Sequence, residues 1–78
     1  MNEIILNLVV QRLNQLCLEN PETSFFLGVR RISGQNILFR TMFGEVQGFL
    51  KQEGSDLVIV LGNQILTIPL GDLLGKSN

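Results

Sequence analysis

The chain has 78 residues with one cysteine, no histidine, and a net charge of −1 from six Lys plus Arg against seven Asp plus Glu. That length makes one domain whose single core is marginal in size, so most of the 45% hydrophobic residues need cover from folding, from self-association or from both. A lone thiol excludes an intrachain disulfide and a thiol-rich metal site, the lack of histidine leaves only carboxylates for zinc, and near-neutral charge carries no whole-molecule signature for nucleic acid or a membrane surface.

Met1 to Glu19 is the segment with helical character. Ile5 or Leu6, Val9, Leu13 and Leu16 or Cys17 recur at steps of three and four and form one apolar stripe, with Gln11, Arg12, Asn14 and Gln15 mostly away from it. Ile4 and Leu8 fall off the stripe, and the β-branched Ile4, Ile5, Val9 and Val10 weaken helix propensity. A strand over Ile4–Val10 is therefore the alternative. The same run is broken by Asn7 and is far shorter than the ~20 residues of a membrane span. Glu3 stands where a signal peptide carries positive charge. Asn20-Pro21 stops the helix.

Residues 24–74 then read as β structure. Strands are expected over Phe25–Ile32, Ile37–Phe43, Glu45–Gln52, Asp56–Leu61 and Gln64–Leu70, separated by Gly34-Gln35-Asn36, Gly44, Glu53-Gly54-Ser55 and Gly62-Asn63. Gly71–Gly75 closes with a turn or a last short strand. Short antiparallel strands at this spacing suggest a barrel or compact sandwich. For one 78-residue domain (1–78) the expected solution is mainly β: a strongly bent five-stranded antiparallel barrel capped by the N-terminal helix. Gly28, Gly44 and Gly48 sit in or beside strands, where bends or bulges belong.

From the third strand onward, GEVQGFLKQEGSDLVIVLGNQILTIPLGDLL (Gly44–Leu74) resembles the Sm-like small β-barrels. It has the glycine–apolar–glycine pattern, a bent strand, a short turn, an apolar strand, and an ending of the form apolar-x-I-P-L-x-x-L. The helix ahead of the first strand is also like that family. In element order the resemblance covers residues 2–74, in sequence texture only the second half. It implies an Sm-like barrel, and assembly into rings through strand edges. It does not carry over the family's RNA site. Where RNA-binding members hold an aspartate and an asparagine after the glycine–leucine pair, this chain has Gly54 and Val58, with Asp56 two residues out of step. The turn matching the second motif, Leu61-Gly62-Asn63, has no cation, which leaves Asn63 to meet a base edge.

Arg30, Arg31 and Arg40 form the basic cluster. The two-residue period of a strand sends Arg30 and Arg31 to opposite faces, and Arg40 shares a face with only one of them. Arginine forks suit phosphate oxygens; pairing with Glu45 or Asp56 as solvated charges is the simpler role. The phenylalanines belong mostly to the core, except Phe49, which points away from Val46 and Leu50. Cys17 reads as a buried thiol with no histidine to activate it, and a free thiol fits a reducing cytoplasm. Glu3, Glu19, Glu22, Glu45, Glu53, Asp56 and Asp72 are scattered over helix ends and turns, without a spacing that argues for acid–base catalysis or metal binding. No enzyme, cofactor or metal is expected.

The strongest feature is DLVIVLGNQILTIPL, Asp56–Leu70. Leu57, Ile59 and Leu61 define one face and Val58 and Val60 the other; the return strand sets Ile65 opposite Leu66, Ile68 and Leu70. A half-exposed strand should alternate with polar residues, yet only Gln64 and Thr67 do so. Pro69 removes a ladder donor and marks an edge, and an apolar edge recruits a partner unless it is protected. The expectation is a non-enzymatic assembly or protein-interaction module, homo-oligomeric through Val58, Val60, Leu66, Ile68, Pro69 and Leu70 together with Ile4 and Leu8. Its partners would be further copies or another protein, and no membrane. The alternative is an Sm-like ring binding single-stranded RNA through Arg30, Arg31, Arg40, Phe49 and Asn63.

Overall fold

A computed structural model describes residues 1–19 and 26–75. The elements are α1 (Glu3–Glu19), β1 (Phe26–Ser33), β2 (Asn36–Thr41), β3 (Gly44–Glu53), β4 (Asp56–Leu61), β5 (Gln64–Pro69) and α2 (Leu70–Leu74). The expected Asn20-Pro21 stop and the first residue of the first strand, Phe25, lie outside the described residues.

Over Ile4–Val10 the helix prevails. The Asn2 side chain accepts from the N–H groups of Ile4 (2.7 Å) and Ile5 (3.3 Å), capping donors the first turn leaves unpaired. Leu6, Val9, Leu13 and Cys17 are all buried, at spacings of three, four and four. Each β-branched residue weakens a helix by a few tenths of a kcal/mol. Burying each large apolar side chain returns about 1.5–3 kcal/mol, so the stripe outweighs the local preference.

The strands form one antiparallel meander, β1-β2-β3-β4-β5, each joined to the next by a two-residue turn. Gly34, Gly54 and Gly62 take φ of 55°, 62° and 59° in three of these turns, a conformation open to glycine. The fourth, Met42-Phe43, has no glycine. The Thr41 hydroxyl accepts from the Phe43 N–H (3.0 Å) and donates to the Gly44 carbonyl (2.8 Å), a local hydrogen-bonded turn. This ends β2 at Thr41 instead of Phe43 and leaves Phe43 85% exposed, not in the core.

The sheet is not closed into a barrel. β1 and β5 are its outer strands, and among the described residues no ladder joins them. The expected bend is nonetheless present. β3 pairs with β2 over Gly44–Phe49 and with β4 over Phe49–Glu53, passing from one neighbour to the other at Phe49. At Gly48 a β-carbon would lie 2.8 Å from a Leu61 δ-carbon and 3.2 Å from the Phe39 ring, so only glycine lets the strands fold over so closely.

The β1 edge is occupied by the helix. The Asn14 side chain of α1 donates to the Val29 carbonyl (2.6 Å) and accepts from the Val29 N–H (2.8 Å). The helix thus holds the position a closing strand would need. After Pro69 the chain turns into α2, not into a turn or another strand. Leu73 of α2 is buried, and its carbonyl accepts from Arg12 Nε of α1 (2.9 Å).

The core lies between α1 and one sheet face. Val29, Ile37, Phe39, Leu50, Leu57, Ile59 and Leu61 meet the helix stripe, and Leu73 joins from α2. The Phe26 ring stacks on Phe39 with centroids 4.5 Å apart.

Candidate functional site

The β4–β5 hairpin sets the geometry of the open edge. Leu61 faces Gln64, Ile59 faces Leu66 and Leu57 faces Ile68, and beyond them Leu70 N–H donates to the Ser55 carbonyl at 3.0 Å. Hydrogen-bonded and non-bonded pairs alternate along an antiparallel ladder. Gln64, Leu66 and Ile68 therefore turn their backbone groups toward β4, while Ile65, Thr67 and Pro69 turn theirs toward the free edge. The donor that proline lacks falls on the open side, where no ladder loses it. No side chain of Gln64–Pro69 is charged. Ile65 is 66% exposed on the outer face and Leu66 41% on the inner, so the strand is bare on both sides.

The other residues singled out for an interface have different positions. Val58 and Val60 point to the outer face. Val58, set between Lys51 and Thr67, is only 4% exposed and already covered. Val60 lies between Phe49 and Ile65, and these three form an apolar row across β3, β4 and β5. Ile68 and Leu70 are half-buried and pack against the core, while Pro69 is exposed. Ile4 and Leu8 are exposed, off the helix stripe that meets the sheet.

The arginines split between faces as the strand period requires. Arg30 and Arg40 lie on the outer face around Gly28, with Glu45 directly opposite Arg40 and its carboxylate 3.7 Å from Arg30 Nε. With Asn14 and Leu38 they line a shallow open pocket of about 160 Å³. Arg31 points the other way and is held by α1: its Nη1 donates to Glu3 (2.6 Å) and to Asn7 (3.1 Å), and its Nη2 to the second Glu3 oxygen. Those hydrogen bonds hold the Glu3 carboxyl below its ordinary range and raise Arg31 above its own. The five candidate RNA contacts are thus not brought together. Arg30 and Arg40 share one face, Arg31 is on the other, Phe49 is in the apolar row, and Asn63 is in the turn between β4 and β5.

Asn14 is the residue that sequence reasoning overlooked, being placed with the polar side of the helix. Its signal is an amide of poor helix propensity next to Leu13 in the stripe, where an asparagine needs a partner. Among the described residues no group of three or more His, Cys, Asp or Glu gathers to hold a metal, and no helix is long and apolar enough to cross a membrane. Comparison with protein-family models, with curated proteins and with solved structures found no match.

Proposed function

We propose that this chain is a non-enzymatic assembly module that associates with further copies of itself through the β5 edge. The observation that carries the reading is β5 itself: an edge strand with outward-facing backbone groups, no charge, and apolar residues exposed on both faces. Native edges are normally blunted by charge, proline, bulges or cover; β5 has Pro69 at its end, and among the described residues none of these along Gln64–Thr67. A non-enzymatic role fits the carboxylates, since Glu3, Glu45 and Glu53 are each engaged in an ion pair with a neighbouring cation. The Sm-like relationship belongs to the same proposal. A leading helix, five strands and a bent third strand support it, while the open sheet departs from it. A cytoplasmic setting, suggested by the buried free thiol of Cys17, is part of the proposal as well.

Light scattering at micromolar concentration tests the reading: a mass above 8.7 kDa is expected, and a clean monomer of 8.7 kDa overturns it. Ile65→Lys is the matching variant. Ile65 is exposed, so a charge there disrupts association without entering the core, whereas Ile68 packs against the core and its replacement would also unfold the chain. The second reading, a ring binding single-stranded RNA, is favoured by the Arg30 and Arg40 pocket. Filter binding to U-rich and A-rich RNA across a salt series separates the two. Phosphate contacts give affinity that falls steeply with salt, and no binding at low salt removes the RNA reading.

A further inference from the structure

The geometry points to a two-fold symmetric dimer in which β5 of one copy pairs antiparallel with β5 of a second, centred on Leu66. This inference rests on the assembly reading and specifies its symmetry and register. A head-to-tail assembly needs β5 to add to a different edge of the next copy, and the other edges are unsuited. At β1 both backbone groups of Val29 are taken by Asn14, and the strand's ladder is irregular between Phe26 and Gly28 and between Arg31 and Ser33. The first half of β3 extends beyond β4, but it carries Glu45, which pairs with Arg30. Among the described residues the one uncharged, regular, uncovered edge is β5, so the edge that pairs is the same on both copies.

Proline then selects the register. The open side of β5 offers the N–H and C=O of Ile65 and Thr67, and only the C=O of Pro69. Centring the two-fold on Thr67 also pairs all four N–H groups, but it sets each Ile65 carbonyl against the partner strand's proline, whose ring carbon stands where the donated hydrogen would be. Centring it on Ile65 sets Thr67 against Asn63, which is in the turn. Centring it on Leu66 sets Ile65 against Thr67 twice, and all four N–H groups and all four carbonyls of these residues are paired, with neither proline in the ladder. In that register the two Leu66 side chains meet on the inner face, and Ile65 flanks the partner strand's threonine on the outer face. The product is a ten-stranded sheet, twice the five of one copy. Its two remaining ends are β1 edges held by Asn14, so growth stops at two copies.

Two variants test this. In a Cys17→Ala background, Leu66→Cys places thiols at a non-hydrogen-bonded antiparallel pair, where Cα atoms lie about 4.5 Å apart, inside the range a disulfide spans. Mild oxidation is expected to yield covalent dimer from Leu66→Cys and little from Gln64→Cys, which this register sets against Ile68. Thr67→Pro removes an outward N–H without touching the β4 ladder. Two of the four intermolecular bonds are lost, raising the dissociation constant about ten- to hundredfold while the far-ultraviolet circular dichroism stays that of the folded chain. A monomeric wild type overturns both the dimer and the assembly reading. Larger assemblies that withstand Thr67→Pro overturn the symmetric dimer and leave the assembly reading standing. A dimer that resists cross-linking through Leu66→Cys overturns the register.

Discussion

Replacing Asn14 with leucine removes one donor and one acceptor from the outer edge of β1 while keeping most of the side-chain volume. Of the three bonds lost, two are short, 2.6 and 2.8 Å, and go to the backbone of Val29, a core residue; the third, 3.2 Å, goes to the Val10 carbonyl within α1. A protein hydrogen bond contributes about 0.5–1.5 kcal/mol net, and an abandoned buried partner costs about 1–3 kcal/mol. Val29 also lines the shallow pocket beside Arg30 and Arg40, through which water reaches part of the gap. The sum is then about 2–3 kcal/mol. Total stability at ~0.05–0.15 kcal/mol per residue is about 4–12 kcal/mol for this length, so the variant loses a large fraction of it. Urea titration at fixed protein concentration reads the loss, since association would otherwise shift the midpoint. With a slope near 1 kcal/mol/M for a small domain, the midpoint falls by about 2–3 M with the slope unchanged. A midpoint within about 0.3 M of wild type would refute the claim that Asn14 holds the β1 edge. Asn14→Asp separates hydrogen bonding from packing. Its carboxylate still accepts from the Val29 N–H but no longer donates to the Val29 carbonyl, so a loss smaller than that of the leucine variant is expected.

Three further outcomes are expected. Because Arg31 depresses the Glu3 carboxyl, the contribution of this pair is complete above the ordinary value of 4.5 and is lost as pH falls through the lower folded value. Melting temperature followed into strong acid should therefore drop less for Glu3→Gln than for wild type over that window, by a small amount for so exposed a pair. Gly48→Ala places a methyl against Leu61 and the Phe39 ring; the Leu61 branch can rotate but the buried ring cannot, so stability falls by about 1–3 kcal/mol in the same urea assay. Cys17 lies in the core, so labelling by a thiol reagent should proceed at the rate of opening and rise with urea; immediate labelling of the native protein would contradict its burial.

The parts of this protein legible from sequence are those governed by short-range periodicity. The apolar run DLVIVL between the Glu53-Gly54-Ser55 and Gly62-Asn63 turns placed β4 at Asp56–Leu61 and started β5 at Gln64, as observed, and the two-residue strand period put Leu57, Ile59 and Leu61 on one face with Val58 and Val60 on the other. The three- and four-residue spacing in α1 placed Val9 and Leu13 in the stripe and left Ile5 or Leu6 and Leu16 or Cys17 open, of which Leu6 and Cys17 are buried; the strand period separated Arg30 from Arg31. Pro69 identified β5 as an edge because a missing donor is tolerated only there. The early stop of β2 was harder to read, since it depends on one hydroxyl, that of Thr41, bridging a turn without glycine.

Whether the sheet closes was decided only by tertiary structure. Side-chain alternation records which face each residue presents, but the hydrogen-bonding groups along a strand edge are the same for every residue except proline. Which neighbour reaches the β1 edge first is therefore a matter of distance in space. The amide of Asn14, fifteen residues before Val29, arrives there in place of β5. The sheet is open where a barrel was expected, with Asn14 on the β1 edge and β5 without a strand partner on its outer side among the described residues. The sequence by itself determined how apolar that strand is; the packing of α1 determined that it faces outward.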